Sequence, residues 1–273
     1  MDDEVTREPN FLIVGAPKAG TTSLTSYLSQ HPDVFMAPEK EIRFFDRDFV
    51  YERGWDWYCA QFAEAAAATA IGEASPTYLS NPAALERIAR HLPHVRLVAI
   101  LRHPVERAYS HYWHVRGYGA EQRSFEEALA DASAEHRYLS PGRYAQHLKR
   151  AKRLFPPEHV RVILFDDFTA DPSAVMDDLC RWLGLGPLEI TAAEDVHNQR
   201  FRLRSPTLRR LMVTGRVWRR APRLAALLER ANRAPVGAAP MQPKTRAALL
   251  AEFAPTNDEL AAMLGRDLSA WNR

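Results

Sequence analysis

Four apolar residues, Phe11-Leu-Ile-Val14, run directly into Gly15-Ala-Pro-Lys-Ala-Gly-Thr-Thr-Ser-Leu24. No other stretch limits the fold so tightly. An apolar run that ends at glycine is expected as a strand buried on both faces. Residues 21–30 then bring Leu24, Tyr27 and Leu28 to one face of a helix, and Pro32 disfavours helical geometry just before itself. Strand, glycine turn and helix in that order aim several backbone N–H groups, and the positive end of the helix dipole, at one spot. An anion is the expected guest. Lys18, Ala19 and Gly20 would contact it from the loop, and Thr21, Thr22 and Ser23 would add hydroxyl donors.

Gly15 and Gly20 have the spacing of a nucleotide P-loop, GxxxxGK[ST], but Thr21 stands where that motif has lysine. The loop's lysine is Lys18, three residues earlier. A triphosphate loop needs the later lysine to reach the β- and γ-phosphates. A lysine at 18 instead leans over the mouth of the loop. That suits a donor with one phosphate in the cradle and its reactive group just outside. Val162-Ile-Leu-Phe-Asp-Asp167 imitates the second motif of nucleotide kinases. Without a lysine at position 21, Asp166 and Asp167 are expected to cap or start the loop that follows.

Arg96-Leu-Val-Ala-Ile-Leu101 and Val160-Arg-Val-Ile-Leu-Phe165 also read as buried strands, with a weaker one near residues 70–72. Helical patterns at about 82–91, 104–116, 124–131, 143–154 and 173–183 separate them, and the Ala run at 63–70 reads as helix end and loop. This alternation predicts an α/β fold, a P-loop-like parallel β-sheet flanked by helices with right-handed crossovers. After Gly186 the strand signals stop, and residues 206–213, 222–231 and 243–264 look helical. The expected organisation is one domain over residues 1–273. Residues 11–186 form its α/β core, and 187–273 form a helical, basic C-terminal extension packed on it.

The net charge of the 273-residue chain is only +2, so no nucleic-acid partner is expected. Residues 200–233, however, hold eleven Arg and one acid, Glu229, which leaves the rest of the chain net acidic. Such a face suits an anionic cofactor, an acidic substrate or a membrane surface, or is simply a solvated helical surface. The arginines of 200–223 interleave with Leu203, Leu208, Leu211, Met212, Val217 and Trp218. An amphipathic, basic stretch of that kind can dock peripherally on anionic lipid, and it can equally be a lid or a packed helix pair. Cys59 and Cys180 match no metal spacing and no disulfide framework, so they are expected as buried reduced thiols and no metal is expected. The start, MDDEVTREPN, is unlike a signal peptide, and no window approaches the roughly 20 apolar residues of a transmembrane helix. A cytoplasmic protein, at most peripheral to the membrane, is expected.

The stretch Leu97-Val-Ala-Ile-Leu-Arg-His-Pro-Val-Glu-Arg-Ala-Tyr-Ser-His-Tyr112 repeats the anion theme. A strand ends in Arg102, Pro104 suits the first turn of a helix, and Ser110 follows two turns in. The charged fork of Arg102 and the Ser110 hydroxyl can hold one phosphate from two sides, although Arg102 could also serve a structural ion pair. Two anion sites in one parallel sheet imply a doubly anionic ligand.

GAPKAGTTSL resembles the 5′-phosphosulfate-binding loop of sulfotransferases that use 3′-phosphoadenosine 5′-phosphosulfate (PAPS). LRHPVERAYSHY resembles their 3′-phosphate-binding segment. Glu39-Lys-Glu-Ile-Arg-Phe-Phe-Asp46 is similar to the acidic, double-Phe segment of the heparan-sulfate-type members. Tyr51-Glu-Arg-Gly-Trp-Asp-Trp-Tyr58, Phe253-Ala-Pro-Thr-Asn-Asp-Glu-Leu260 and Leu264-Gly-Arg-Asp-Leu268 continue the likeness, which runs in order over nearly the whole chain. The resemblance implies that the loop N–H groups with Thr21, Thr22 and Ser23 hold the 5′-phosphosulfate. Arg102 and Ser110 would hold the 3′-phosphate. Lys18 would stabilise charge on the bridging oxygen as the sulfuryl group leaves, with 3′-phosphoadenosine 5′-phosphate (PAP) as the product. Glu41 aligns with the family's catalytic glutamate and is the expected general base, with Glu39 as the fallback. Phe44 and Phe45 are expected to bury that corner and favour the neutral acid. The bland alternative for Glu41 is a surface residue paired with Lys40 or Arg43. His114 matches an active-site histidine of N-sulfotransferases, which implies a place in the acceptor pocket, or else it is a packed helical residue. His103 and His111 are expected as bystanders.

Some positions depart from the family pattern. In Glu73-Ala-Ser-Pro-Thr-Tyr78, Ala74 replaces a lysine that heparan 3-O-sulfotransferases use on their polysaccharide. Their Cys-framed loop is absent, and an Arg-rich run with Arg200, Arg202 and Arg204 occupies about that place, where one of the three could touch the cofactor phosphates. These changes weaken heparan sulfate as a substrate without weakening sulfuryl transfer. The expected activity is transfer from PAPS to a hydroxyl or amine of a small-molecule or glycan acceptor: a saccharide, glycolipid or secondary metabolite. The acceptor pocket is expected from residues 46–58, 115–143 and 190–220. One alternative is a P-loop nucleotide kinase, which Thr21 disfavours. Another is a catalytically inactive anion-binding module, against which Lys18 and Glu41 together argue.

Overall fold

Five strands form a central parallel sheet: β1 (Phe11–Gly15), β2 (Val34–Met36), β3 (Ala70–Ala74), β4 (Arg96–Leu101) and β5 (Val160–Leu164). The computed structural model describes residues 7–65, 68–188, 190, 201–205, 207–208, 221–235 and 240–273. The strand order is β2-β3-β1-β4-β5. β1 is therefore covered on both faces and paired on both edges, with Ile13 opposite Ala74 on one side and Val98 on the other. Its four apolar residues are 0–1% exposed, which is why the run has no polar alternation. β3 can lie close beside it because residue 72 is glycine: a Cβ there would fall 2.5 Å from the Phe11 ring.

The chain builds β2 and β3 on one side of β1, then β4 and β5 on the other. The order thus reverses between β1 and β4. In open α/β sheets the crevice outside the strand ends at such a point is where ligands bind. The loop of residues 16–20 after β1 and the turn at residues 102–103 after β4 meet there.

Among the described residues, nine α-helices accompany these strands: α1 (Thr21–Leu28), α2 (Asp48–Tyr51), α3 (Trp55–Cys59), α4 (Pro82–His91), α5 (Pro104–Gly117), α6 (Phe125–Leu129), α7 (Tyr144–Leu154), α8 (Phe165–Ala170) and α9 (Pro172–Leu183). Most have local start signals. The Asn81 side chain caps α4 through the Ala84 N–H, and Asp171 caps α9 through that of Ala174. Ser124 and Glu127 form a reciprocal capping box on α6. The aspartates of the kinase-like stretch fall in the first turn of α8 and start a helix, not a loop. Asp167 pairs with Arg266, and Asp166 accepts from Trp271 Nε1 at 3.0 Å, so both are taken up by the end of the chain.

Among the described residues of the C-terminal part, two further α-helices stand out, α10 (Pro222–Asn232) and α11 (Pro243–Leu264). β6 (Phe201–Leu203) and β7 (Arg233–Pro235) pair antiparallel, with Phe201 opposite Pro235. This corrects the expectation that strands stop after Gly186. Strands of three residues have too little length for periodicity to report. α11 lies against α5 and α7: Glu252 binds Arg143 at 2.7 Å, Glu259 binds Lys149, and Arg246 binds Glu106. Val105, Tyr109, Phe125, Tyr138 and Phe253 form a second small apolar cluster beneath these pairs. Residues 66 and 67 of the Ala run, and residues 206 and 209–213 of the expected 206–213 helix, lie outside the described residues.

Candidate active site

α1 begins at Gly20, whose φ of 101° lies in the left-handed region. A Cβ on Gly20 would stand 3.0 Å from the Phe165 ring, so both the turn and the space require glycine. Among the described residues no side chain caps α1, and its first turn carries no acid. The helix N-terminus at Thr21, Thr22 and Ser23 thus keeps its affinity for an anion. Ala19 and Gly20 are buried beneath it, Thr22 is exposed, and Ser23 is half-buried.

Lys18 is itself left-handed, with φ of 68°. Its Nζ lies 3.3 Å from Nδ1 of His114 on α5. Its carbonyl accepts a hydrogen bond from Arg102 Nη1 at 3.3 Å, while the Arg102 guanidinium sits 4.9 Å from the centroid of the Phe165 ring. Tyr144 of α7 donates its hydroxyl to the Arg102 carbonyl at 2.7 Å. Ser110, half-buried, lies one helical turn before His114. Residues far apart in the chain, Lys18, Arg102 and His114, are brought together at the β1–β4 reversal.

A cleft of about 280 Å³ lies along α1, and Lys18, Arg102 and His114 are not among the residues that line it. Thr21, Thr22 and Thr25 of α1 form one wall, and Glu39, Lys40 and Glu41 face them from the segment after β2. Lys40 Nζ donates to Thr22 Oγ1 at 3.1 Å, and Arg43 pairs with Asp46 at 2.6 Å, so neither cation is committed to Glu41. Glu41 and Arg43 both have positive φ, 59° and 57°. That turn divides the segment. Phe44 and Phe45 are 1% and 0% exposed and pack with Tyr51, Trp55, Tyr58 and Tyr78, whereas Glu41 is exposed at the cleft. The expected burial of the Glu41 corner by Phe44 and Phe45 does not occur, because the turn sends the rings into the core and leaves the carboxylate outside.

His103 is the N-cap of α5 and accepts from the Val105 N–H at 3.3 Å. Burial pushes its imidazole below the ordinary value, with Arg246 adding to the effect. Burial, and behind it the neighbouring basic groups Arg107, His114 and Lys18, push His111 well below its ordinary value. Arg204 is exposed and its backbone N–H donates to the Asn232 carbonyl at 2.7 Å. Arg202 belongs to β6. Arg200, Leu211, Met212, Val217 and Trp218 lie outside the described residues. Cys59 and Cys180 are buried, unbridged thiols, and burial pushes each up to about 11. Among the described residues no helix is long and apolar enough to cross a membrane, and no three His, Cys, Asp or Glu side chains are grouped to hold a metal ion.

Among the buried ionisable residues that the sequence reading did not single out are Arg107 and Glu73. Arg107 on α5 is 0% exposed and donates to the Tyr138 carbonyl. Glu73 on β3 is 1% exposed, and burial pushes its carboxyl up to about 7 against the opposing hydrogen bonds of Ser75, Tyr78 and Tyr58. Its signal was present: an acid interrupting an otherwise small and apolar strand, Ala70-Ile-Gly-Glu-Ala74.

A family model described as the sulfotransferase family matches residues 9–189. The chain is 34% identical over 197 residues to bifunctional heparan sulfate N-deacetylase/N-sulfotransferase 1 of Caenorhabditis briggsae, a match covering 65% of this chain and 23% of that protein. It is also 34% identical over 199 residues to bifunctional heparan sulfate N-deacetylase/N-sulfotransferase 3 of Homo sapiens, covering 66% of this chain and 23% of that one. It thus spans less than a quarter of the length of these curated relatives. A sulfotransferase structure from Alicyclobacillus acidocaldarius shares 32% identity and superposes with a TM-score of 0.73, covering 98% of this chain and 100% of that one. The chain belongs to the sulfotransferase family, a family of enzymes.

Proposed function

We propose that the chain transfers a sulfuryl group from PAPS to a hydroxyl or amine of a small-molecule or glycan acceptor. The observation that carries this reading is the bond from Arg102 to the Lys18 carbonyl, which joins two anion-binding elements at the ends of the neighbouring strands β1 and β4. The donor has two anionic ends, and the uncapped α1 N-terminus and Arg102 offer a cation or dipole for each. PAPS, when bound, supplies the sulfuryl group and departs as PAP.

The residues divide the work by chemistry. Loop N–H groups of Ala19 and Gly20, with Thr21, Thr22 and Ser23, cradle the 5′-phosphosulfate. Arg102 and Ser110 hold the 3′-phosphate. Bound PAPS would supply the sulfuryl group to the acceptor oxygen or nitrogen with PAP as the leaving group, and Glu41 would take the acceptor's proton. Exposure of Glu41 at the cleft supports this role, since a base must meet an incoming acceptor. The Lys18 ammonium meets the charge that develops on the bridging oxygen, and His114, 3.3 Å away, holds that ammonium at the acceptor side.

The matched relatives are by name heparan sulfate N-sulfotransferases, which supports a glycan amine among the acceptors. Ala74, at the cleft wall, offers no cation to a polysaccharide there. We read the protein as a single sulfotransferase domain working in the cytoplasm. Calorimetric titration with PAP, and with ATP and Mg²⁺, tests the reading on wild type, Lys18→Ala and Arg102→Ala. Tight, metal-independent binding of PAP that Arg102→Ala weakens is the expected result. Preference for ATP with Mg²⁺ would mean a nucleotide kinase, and binding of neither would mean an inactive module.

A further inference from the structure

Glu73 stands on β3 opposite Leu12 of β1, in the middle of the sheet. Three hydroxyls converge on its carboxyl. Ser75 Oγ donates to Oε2 at 2.7 Å, and Tyr78 and Tyr58 donate to Oε1 at 2.8 and 3.3 Å. Two of these hydroxyls are also acceptors. Ser75 Oγ receives the Arg43 N–H at 3.0 Å, and the Tyr78 hydroxyl receives the Phe45 N–H at 3.5 Å. Each carboxyl oxygen therefore reaches the backbone of residues 43–45 through a single hydroxyl. That backbone follows directly on the left-handed turn at Glu41 and Arg43. Residues other than glycine hold such φ values only where their surroundings impose them.

We propose that Glu73 is a positioning residue for sulfuryl transfer: through Ser75 and Tyr78 it clamps the backbone of Arg43 and Phe45, and so fixes the turn that presents Glu41 to the cleft. This rests on the reading of Glu41 as the general base. The direction of every link matters. Both hydroxyls must donate to Glu73 if they are to accept from the two backbone N–H groups, and a carboxylate accepts from all of them. A glutamine places an NH₂ donor at one carboxyl position and opposes one link. The groups facing Glu73 are Tyr58 from α3, Ser75 and Tyr78 from the loop after β3, and Asp46, whose charge disfavours ionisation. Burial brings the titration of this carboxyl to about 7, so protonation would reverse one link within the working pH range.

A double-mutant cycle separates this from a merely structural role. PAP formation from PAPS is followed with de-N-sulfated heparin as acceptor and with water alone, for Glu41→Gln, Glu73→Gln, Ser75→Ala and the pairs with Glu41→Gln. Amide hydrogen exchange of Arg43 and Phe45 is measured on the same proteins. We expect Glu73→Gln and Ser75→Ala each to lower kcat about tenfold, with KM for PAPS and PAP affinity unchanged. Neither should lower kcat further in the Glu41→Gln background. Exchange at Arg43 should rise at least tenfold in both single variants. Additive losses, or unchanged exchange, would overturn the clamp while leaving Glu41 as the base. A wild-type rate in Glu41→Gln would overturn the base itself. Should Glu73→Gln not fold, Ser75→Ala and Tyr78→Phe carry the same cycle.

Discussion

Lys18 Nζ lies 3.3 Å from His114 Nδ1, across 96 residues of sequence. An ammonium can donate to that nitrogen only where it carries a lone pair, so the contact puts the imidazole proton on Nε2. The pair holds a cation at the mouth of the loop with its direction set by α5.

Lys18→Ala should therefore act on the chemical step. Removing one donor aimed at developing charge lowers kcat by about 10²–10³-fold. PAP affinity should fall much less, because the cradle of α1 remains. Steady-state kinetics beside calorimetry checks this, and an equal loss in both quantities would place Lys18 in ground-state binding instead.

Arg102→Ala should act on binding. A charge-assisted pair is worth about 1.5–3 kcal/mol, or roughly 10–150-fold in Kd. The bond from its Nη1 to the Lys18 carbonyl goes as well, so the loop should also loosen. Arg102→Lys should recover only part of the affinity for PAP, since a point charge cannot reproduce the planar fork.

Glu73 should leave a signature in the pH dependence of stability. Its carboxyl titrates at about 7 in the folded chain against an ordinary 4.5. A raised carboxyl favours folding fully below pH 4.5, and that contribution is lost as pH rises to about 7. The full span corresponds to about 3 kcal/mol. Urea unfolding of wild type and Glu73→Gln at pH 5 and pH 8 measures it: the wild type should lose stability relative to the variant on going to pH 8.

Gly20→Ala should cost stability and binding together. It forces a Cβ onto a φ of 101° and against Phe165. A left-handed residue with a side chain costs about 1–2 kcal/mol before the clash is counted. A lowered Tm with PAP binding lost is the expected outcome. A variant that binds PAP normally would show that the loop tolerates a different backbone there.

The parts of this fold that were legible from residues are the local ones. β1, the glycine turn and α1 stand where the apolar run, Gly20 and the Leu24, Tyr27 and Leu28 face put them. α4, α7 and α11 fall within a residue of their expected bounds because prolines, caps and helical periodicity mark them within a turn or two. β2, β6 and β7 were not legible, since each is three residues long and exists through its pairing partner. α2 and α3 were hidden for a related reason, as four and five residues give periodicity little to work on.

What the order of residues determined by itself is an anion-binding loop of unusual lysine placement, an arginine at a second strand end, and the parallel α/β plan that carries both. Short-range sterics and hydrophobic periodicity suffice for these, because each acts within one element and its flanking turn. The tertiary structure decided what those elements meet. Strand order put β1 beside β4, and so set Arg102 against the carbonyl of Lys18, 84 residues away. A turn with two left-handed residues turned Glu41 outward while Phe44 and Phe45 went in, and packing around β3 closed over Glu73. Burial is a property of neighbours that lie far off in the chain, so the acid interrupting Ala70–Ala74 marked Glu73 locally without showing what would close over it, and no local pattern turned Glu41 outward.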